Sequence, residues 1–251
     1  MHGPRRRLLR TLLLGGAALA GRPAAAVDAV GADVDAMGAA VDPTAAAVDS
    51  SGAAGDLIGA AADLLEELDY RVIGQQPLAD PARIEVVEFF YYGCRWCNEF
   101  EPHLNDWLAR KPADVVFRYQ PAIRNTRWLV LTKAFYAFQA LGVQPKLHAR
   151  IYRAYHREEV NLEDEVVLTA WALKQGVELK PLEKLLASDA VMAQVQAARE
   201  ATYAYEIETT PSVVVDGRYL TSSGMTGGVG ELMRVVEDLI VLARRERAAR
   251  G

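Results

Sequence analysis

Cysteine is nearly absent from this chain: Cys94 and Cys97 are the only two in 251 residues. A pair this close together cannot staple a chain of this size, and a small secreted scaffold held by disulfides would carry many more. A structural zinc site is tetrahedral, no second cysteine pair exists to complete one, and His103 could join only by distorting its helix. Excess positive charge is lacking too. Lys and Arg number 28 against 33 Asp and Glu, a net charge of −5, so nothing in the composition points to nucleic acid. Long apolar runs are also scarce, and the stretch nearest the N-terminus, residues 11–20, is too short to span a membrane comfortably. What remains is an ordinary globular composition, long enough for one large domain or two small ones, with one dithiol placed for reaction.

Arg5, Arg6, Arg7 and Arg10 precede the short apolar stretch, and Ala24, Ala25 and Ala26 follow it. Basic region, apolar core and small residues are the layout of a bacterial secretory signal peptide, here residues 1–26, which predicts export to the periplasm. An uncleaved anchor and a non-functional basic tail are the competing readings. Residues 5–10 also resemble the twin-arginine export pattern, a match that basic N-terminal regions produce by chance. Residues 27–62 read as an Ala/Asp/Gly-rich linker of degenerate heptapeptides, with Val27, Val34, Val41 and Val48 in register. A heptad invites a coiled coil. Against it, Thr44 and Ser51 replace the second apolar position, Pro43 interrupts, and the apolar mass is mostly alanine, which buries too little surface to offset ordering entropy. A flexible acidic tether is the expectation.

The text changes near residue 63. Leu64, Leu65 and Leu68 suggest a short helical turn, and residues 70–73 a short strand. The apolar run 84–92 reads as a buried central strand, interrupted only by Glu85 and Glu88. Alternation puts Glu88 on one face with Val86, Phe90 and Tyr92, neighbours that would desolvate it and raise its pKa. A solvated glutamate at a sheet opening is the plainer alternative, and Glu85, nearer the strand start, is expected to be solvated. A helix follows Gly93, with Phe100, Leu104, Trp107 and Leu108 on its apolar face and Pro102 inside it as an expected kink. Cys94 then sits at the helix N-terminus and Cys97 one turn on, within disulfide reach. Backbone dipoles there favour a thiolate at Cys94 below the pKa of about 8.5 of a free thiol. This points to thiol–disulfide exchange, with Cys94 as nucleophile and Cys97 as resolving partner.

Residues 115–119 give a second strand, after which helical periodicity dominates. Trp128, Leu131, Phe135 and Phe138 form one stripe, ended by Gly142; Leu147, Ile151 and Tyr155 form the next; Val166, Val167, Ala170 and Leu173 form a third, ended by Gly176. Leu182, Leu185 and Leu186, then Val191, Val195 and Ala198, continue the pattern. Strand character returns at 211–215. Asp216-Gly217 signals a hairpin into residues 218–220. A last helix buries Val229, Leu232, Val236, Leu239 and Ile240.

This order resembles an α/β, thioredoxin-like fold interrupted by an inserted helical domain, with residues 63–125 and 201–247 as its two parts and 126–200 as the insertion. Residues 85–94 (EVVEFFYYGC), Phe100-Glu101-Pro102 and Ala134-Phe135-Tyr136-Ala137 are similar to the DsbA family of exported thiol oxidases. A proline opening a strand is ordinarily trans. The resemblance implies instead that Thr210-Pro211 is cis and faces the dithiol, with Thr210 contacting the disulfide. It implies that Glu88 lies beneath the disulfide and relays protons to the buried cysteine. It further implies a periplasmic protein disulfide oxidase acting on unfolded or reduced exported proteins, reoxidised by a membrane quinone-linked partner of the DsbB kind. Neither a metal nor an organic cofactor is required, and a monomer is expected. The family carries Cys-Pro-His-Cys, where this chain has Arg95 and Trp96. The family histidine is associated with stabilising the first thiolate. Trp96 cannot donate in the same way, and Arg95 supplies a positive charge open to screening. Trp96 is read as a contact for unfolded or apolar substrate segments. His103, His148 and His156 fall at helical positions and receive no role. The alternatives are a reductase or isomerase-like variant, and an exported chaperone-like binding protein with an incidental dithiol. A kappa-type transferase shares the insertion pattern, but the export signal and the paired cysteines argue against it.

Overall fold

The structure, a computed structural model, describes residues 64–250. The expected signal and linker, residues 1–62, lie outside the described residues. The rest is organised by a five-stranded sheet of β1 (Arg71–Val72), β2 (Ile84–Phe90), β3 (Val115–Pro121), β4 (Ser212–Val215) and β5 (Tyr219–Ser222), in the order β1-β5-β4-β2-β3. β2 and β3 are parallel, and the other pairs are antiparallel. Parallel neighbours need a crossover, which α1 (Arg95–Arg110) supplies. Antiparallel β4 and β5 need only the Asp216-Gly217 turn, whose φ values of 56° and 65° suit a tight hairpin.

Every residue of β2 is buried, which accounts for an apolar run with little alternation: the strand is covered on both faces. On one face Val86 packs with Phe100, Leu104 and Trp107 of α1 and with Leu232, Val236 and Leu239 of α7 (Val229–Arg250). On the other, Val87 and Phe89 meet Val214, Leu220, Tyr205 and Ile207. Between β3 and β4 the chain forms α2 (Leu129–Ala140), α3 (Gln144–His156), α4 (Glu165–Lys174), α5 (Leu179–Leu186) and α6 (Asp189–Ala204). Asp164 caps α4 by accepting from the Val166 and Val167 N–H groups, and Ser188 caps α6 through Val191 N–H. The helices bury Phe135, Phe138, Ile151 and Trp171 in a cluster that also takes in Phe90, Tyr92 and Cys97. Each such large apolar side chain contributes about 1.5–3 kcal/mol on burial. The helical block and the end of β2 therefore share one core, and the dithiol lies where they join.

Three stretches depart from the expected pattern. Residues 65–69 make one turn, closed by Asp69 N–H to Leu65 O at 2.8 Å; Glu67 then adopts φ 69° and the helix cannot continue, leaving Leu65 and Leu68 exposed. In α4 the buried residues are Leu168, Trp171 and Ala172, whereas Val166 is 78% exposed and Val167 and Leu173 also face solvent. That helix offers two apolar stripes at helical spacing, and the one carrying the bulkier Trp171 goes inward. Glu85 is not solvated but 1% exposed, because Arg118 of β3 reaches it with Nε 2.9 Å from Oε1. α1 continues through Pro102.

Candidate active site

The turn after β2 is closed by Cys94 N–H donating to Tyr91 O at 2.9 Å, and Cys94 takes the extended N-cap conformation of α1. Its glycine is required by space. A Cβ on Gly93 would lie 2.5 Å from the Tyr91 ring. That ring stacks on Trp128 at a centroid distance of 4.2 Å, and its hydroxyl donates to Glu163, which also accepts from Arg127 and, at 2.8 Å, from Tyr155. The helical block thus holds the residue that shapes the turn before the first cysteine.

Cys94 is half-buried, Cys97 is fully buried, and both thiols are free. The hydrogen bond from the Cys97 thiol, with others from the Thr210 side chain and the N–H groups of Cys97 and Trp96, lowers the Cys94 pKa from 9.0 to about 6, against the opposing effect of burial. When protonated, the Cys94 thiol donates to the Thr210 carbonyl oxygen at 3.2 Å, and the Thr210-Pro211 bond is cis. Burial pushes the Cys97 thiol well up, helped by its hydrogen bond to Cys94 and by the charges of Cys94 and Glu88. Glu88 is 0% exposed, with both carboxyl oxygens unpartnered. Burial first, and then the charges of Glu101 and Cys94, hold its pKa well above the usual carboxyl range.

Arg95 is exposed and paired with Glu99 at 2.7 Å, its guanidinium 5.5 Å from the Trp96 ring centroid. Hydrogen-bond donors rather than Arg95 lower Cys94. Trp96 is 52% exposed beside the dithiol. Pattern reasoning missed the polar cluster behind Cys97. Glu101 and His148 are both buried, with Glu101 Oε1 3.1 Å from His148 Nε2, and His148 Nδ1 lies 2.8 Å from Tyr92 Oη. His156 donates from Nε2 to the Tyr92 carbonyl at 2.7 Å. Glu101 could have been suspected from its place one helical turn beyond Cys97. Nothing local marks His148. Among the described residues, no cluster of His, Cys, Asp and Glu could hold a metal ion.

A half-exposed acidic thiol, a shielded partner thiol and an adjacent backbone carbonyl make an asymmetric dithiol suited to exchange through a mixed disulfide. Comparison with known proteins agrees. Residues 123–230 match the family model of the DSBA-like thioredoxin domain, a span that includes Thr210 and Pro211 and begins after the dithiol. The thiol:disulfide interchange protein DsbA of Azotobacter vinelandii is 35% identical over 173 residues, covering 69% of this chain and 79% of that protein. The DsbA of Bordetella pertussis is 36% identical over 170 residues, covering 67% and 81%. The crystal structure of Pseudomonas aeruginosa DsbA superposes with a TM-score of 0.69 at 31% identity, covering 75% of this chain and 97% of that one. The chain belongs to the DsbA family of thiol:disulfide interchange proteins and is a thiol:disulfide oxidoreductase with a thioredoxin-like fold.

Proposed function

We propose that the protein donates its Cys94–Cys97 disulfide to exported proteins in the periplasm. The asymmetry of the dithiol carries this reading: Cys94 is acidic and accessible, Cys97 is buried with a raised pKa, and Glu88 lies without partners near both. A substrate thiolate attacks Cys94 Sγ, forming a mixed disulfide and breaking the Cys94–Cys97 bond. Cys97 leaves as a thiolate and takes a proton from Glu88. A second substrate thiolate attacks the substrate sulfur of the mixed disulfide and expels Cys94 as a thiolate. Two electrons pass from the substrate to the dithiol, and a membrane DsbB-like, quinone-linked partner takes them up. Thr210 and Pro211 present a backbone edge to the substrate, Trp96 contacts its apolar segments, and Arg95 binds it alongside. In this reading residues 1–26 direct export, 27–62 tether a monomer, and 126–200 form the insertion between the thioredoxin-like parts 63–125 and 201–247.

The test is the redox equilibrium of the Cys94–Cys97 pair against glutathione. A Cys94 pKa of about 6 lies between the reference values of about 3.5 for DsbA and about 7 for thioredoxin. The expected potential therefore falls between about −120 and about −270 mV. A value at the thioredoxin end would favour a reductase, the reading supported by Arg95 being engaged with Glu99 rather than with Cys94. Replacing Arg95-Trp96 by Pro-His is expected to shift the pair toward oxidising power. Cys94→Ser abolishes disulfide formation in a reduced exported substrate; unchanged formation would leave a chaperone-like binding protein.

A further inference from the structure

The side chains behind Cys97 include two carboxyls whose hydrogen bonding is unequal. Glu101 faces two donors, His148 Nε2 at 3.1 Å from Oε1 and Asn105 Nδ2 at 3.3 Å from Oε2. Glu88 faces none. The other histidine nitrogen, Nδ1, lies 2.8 Å from Tyr92 Oη and 3.0 Å from Gln144 Nε2, groups that can both donate to it. With Nδ1 accepting, the proton of the neutral imidazole sits on Nε2 and points at Glu101. A buried carboxyl that receives donors is favoured ionised, one that receives none is favoured neutral, and two neighbouring carboxyls do not readily ionise together. The phenols of Tyr119 and Tyr152, which pack against the same ring, are held neutral by burial.

We propose that His148 is a positioning residue that decides which buried carboxyl holds the proton: by donating to Glu101 it keeps the negative charge there and leaves the proton on Glu88, next to the dithiol. This rests on the reading of Glu88 as proton donor to Cys97. When the disulfide is reduced, Glu88 gives its proton to the departing Cys97 thiolate. When the disulfide reforms, Cys97 returns the proton to Glu88 as its sulfur bonds to Cys94, so the pair exchanges one proton and needs no external source. Since His148 and Gln144 both stand on α3, the helical block takes part in the chemistry of the sheet.

Infrared spectroscopy of the oxidised full-length protein at neutral pH tests this through the stretch of a protonated carboxyl. Glu88→Gln is expected to remove the buried-acid band and Glu101→Gln to leave it; the reverse assignment overturns the proposal without any histidine variant. In His148→Phe the proton moves, so the band survives the addition of Glu88→Gln. His148→Gln, whose amide still donates to Glu101, restores the wild-type assignment. Reduction of the oxidised protein by dithiothreitol is expected to slow about tenfold in Glu88→Gln and in His148→Phe, and to stay within about twofold in His148→Gln. If Glu88→Gln leaves the rate unchanged, the reading of Glu88 as donor fails. If Glu88→Gln slows reduction while His148→Phe changes neither rate nor band assignment, only the role of His148 fails.

Discussion

Glu85 and Glu88 stand three residues apart on β2, on opposite faces of the sheet, and both are cut off from water. Glu85 meets the guanidinium of Arg118, which also bonds Gln120 on its own strand. Glu88 shares its electrostatic surroundings with Glu101, Cys94 and Cys97, and neither of its oxygens finds a donor. Burial is the same for both, so what separates them is the partner: Glu85 has a cation on one oxygen, and Glu88 has a donor on neither. A carboxyl paired with a cation ties two strands together, whereas one that no donor reaches is kept neutral.

The largest expected effect comes from stripping Glu85 of its partner. Arg118→Met should cost about 2–3 kcal/mol in urea denaturation, below the full cost of breaking a buried pair because the arginine is partly solvated. Thiol exchange should be unaffected, and a slowed exchange would mean the two faces are not independent. Next, Glu88→Leu should stabilise the protein by about 1–2 kcal/mol while slowing exchange, since an unpartnered buried carboxyl is replaced by an apolar side chain. The folded pKa of Glu88 lies above its unfolded value, so the folded state keeps a proton that the unfolded state loses from about pH 4.5 upward. Wild-type stability therefore falls as pH rises through that window, and Glu88→Leu should flatten the curve measured on the oxidised protein.

Cys94 provides the opposite sign at the same site. Its folded pKa is lowered from 9.0 to about 6, so the reduced protein gains stability as pH rises between those values, by about 1 kcal/mol at pH 7. Thiolate absorbance should titrate near pH 6, and a midpoint near 9 would remove the donor-rich half of the contrast. The smallest effect belongs to a pair that solvent already screens. Arg95→Ala should change stability by less than about 0.5 kcal/mol, setting the exposed Arg95–Glu99 pair against the buried Arg118–Glu85 pair.

Much of this was legible in the residues themselves. The strand ending before Cys94, the helix opening at it and the Asp216-Gly217 hairpin are local patterns, and local patterns are where backbone chemistry leaves its mark. The family text extends this to the cis Thr210-Pro211 bond. Glu85 escaped because its solvation depends on Arg118, a residue on another strand that comes opposite Val87 only once the parallel register forms. The inward face of α4 is not legible because Val166, Ala170 and Leu173 are spaced as well as Leu168, Trp171 and Ala172; the choice is made by neighbouring helices and not by periodicity. His148 is not distinguishable from any helical histidine in the sequence, since Glu101 and Tyr92, which set it apart, come from α1 and from the turn after β2.

The missing side chain of Gly93 bears on more of the molecule than its size suggests. One added carbon there would drive into the Tyr91 ring, and that ring is held on its far side by Trp128 and at its tip by Glu163. Displacement of the ring by a methyl group would pass to the Arg127–Glu163–Tyr155 cluster that holds its hydroxyl. A tight tolerance is therefore set one residue before Cys94, by an atom that is not there.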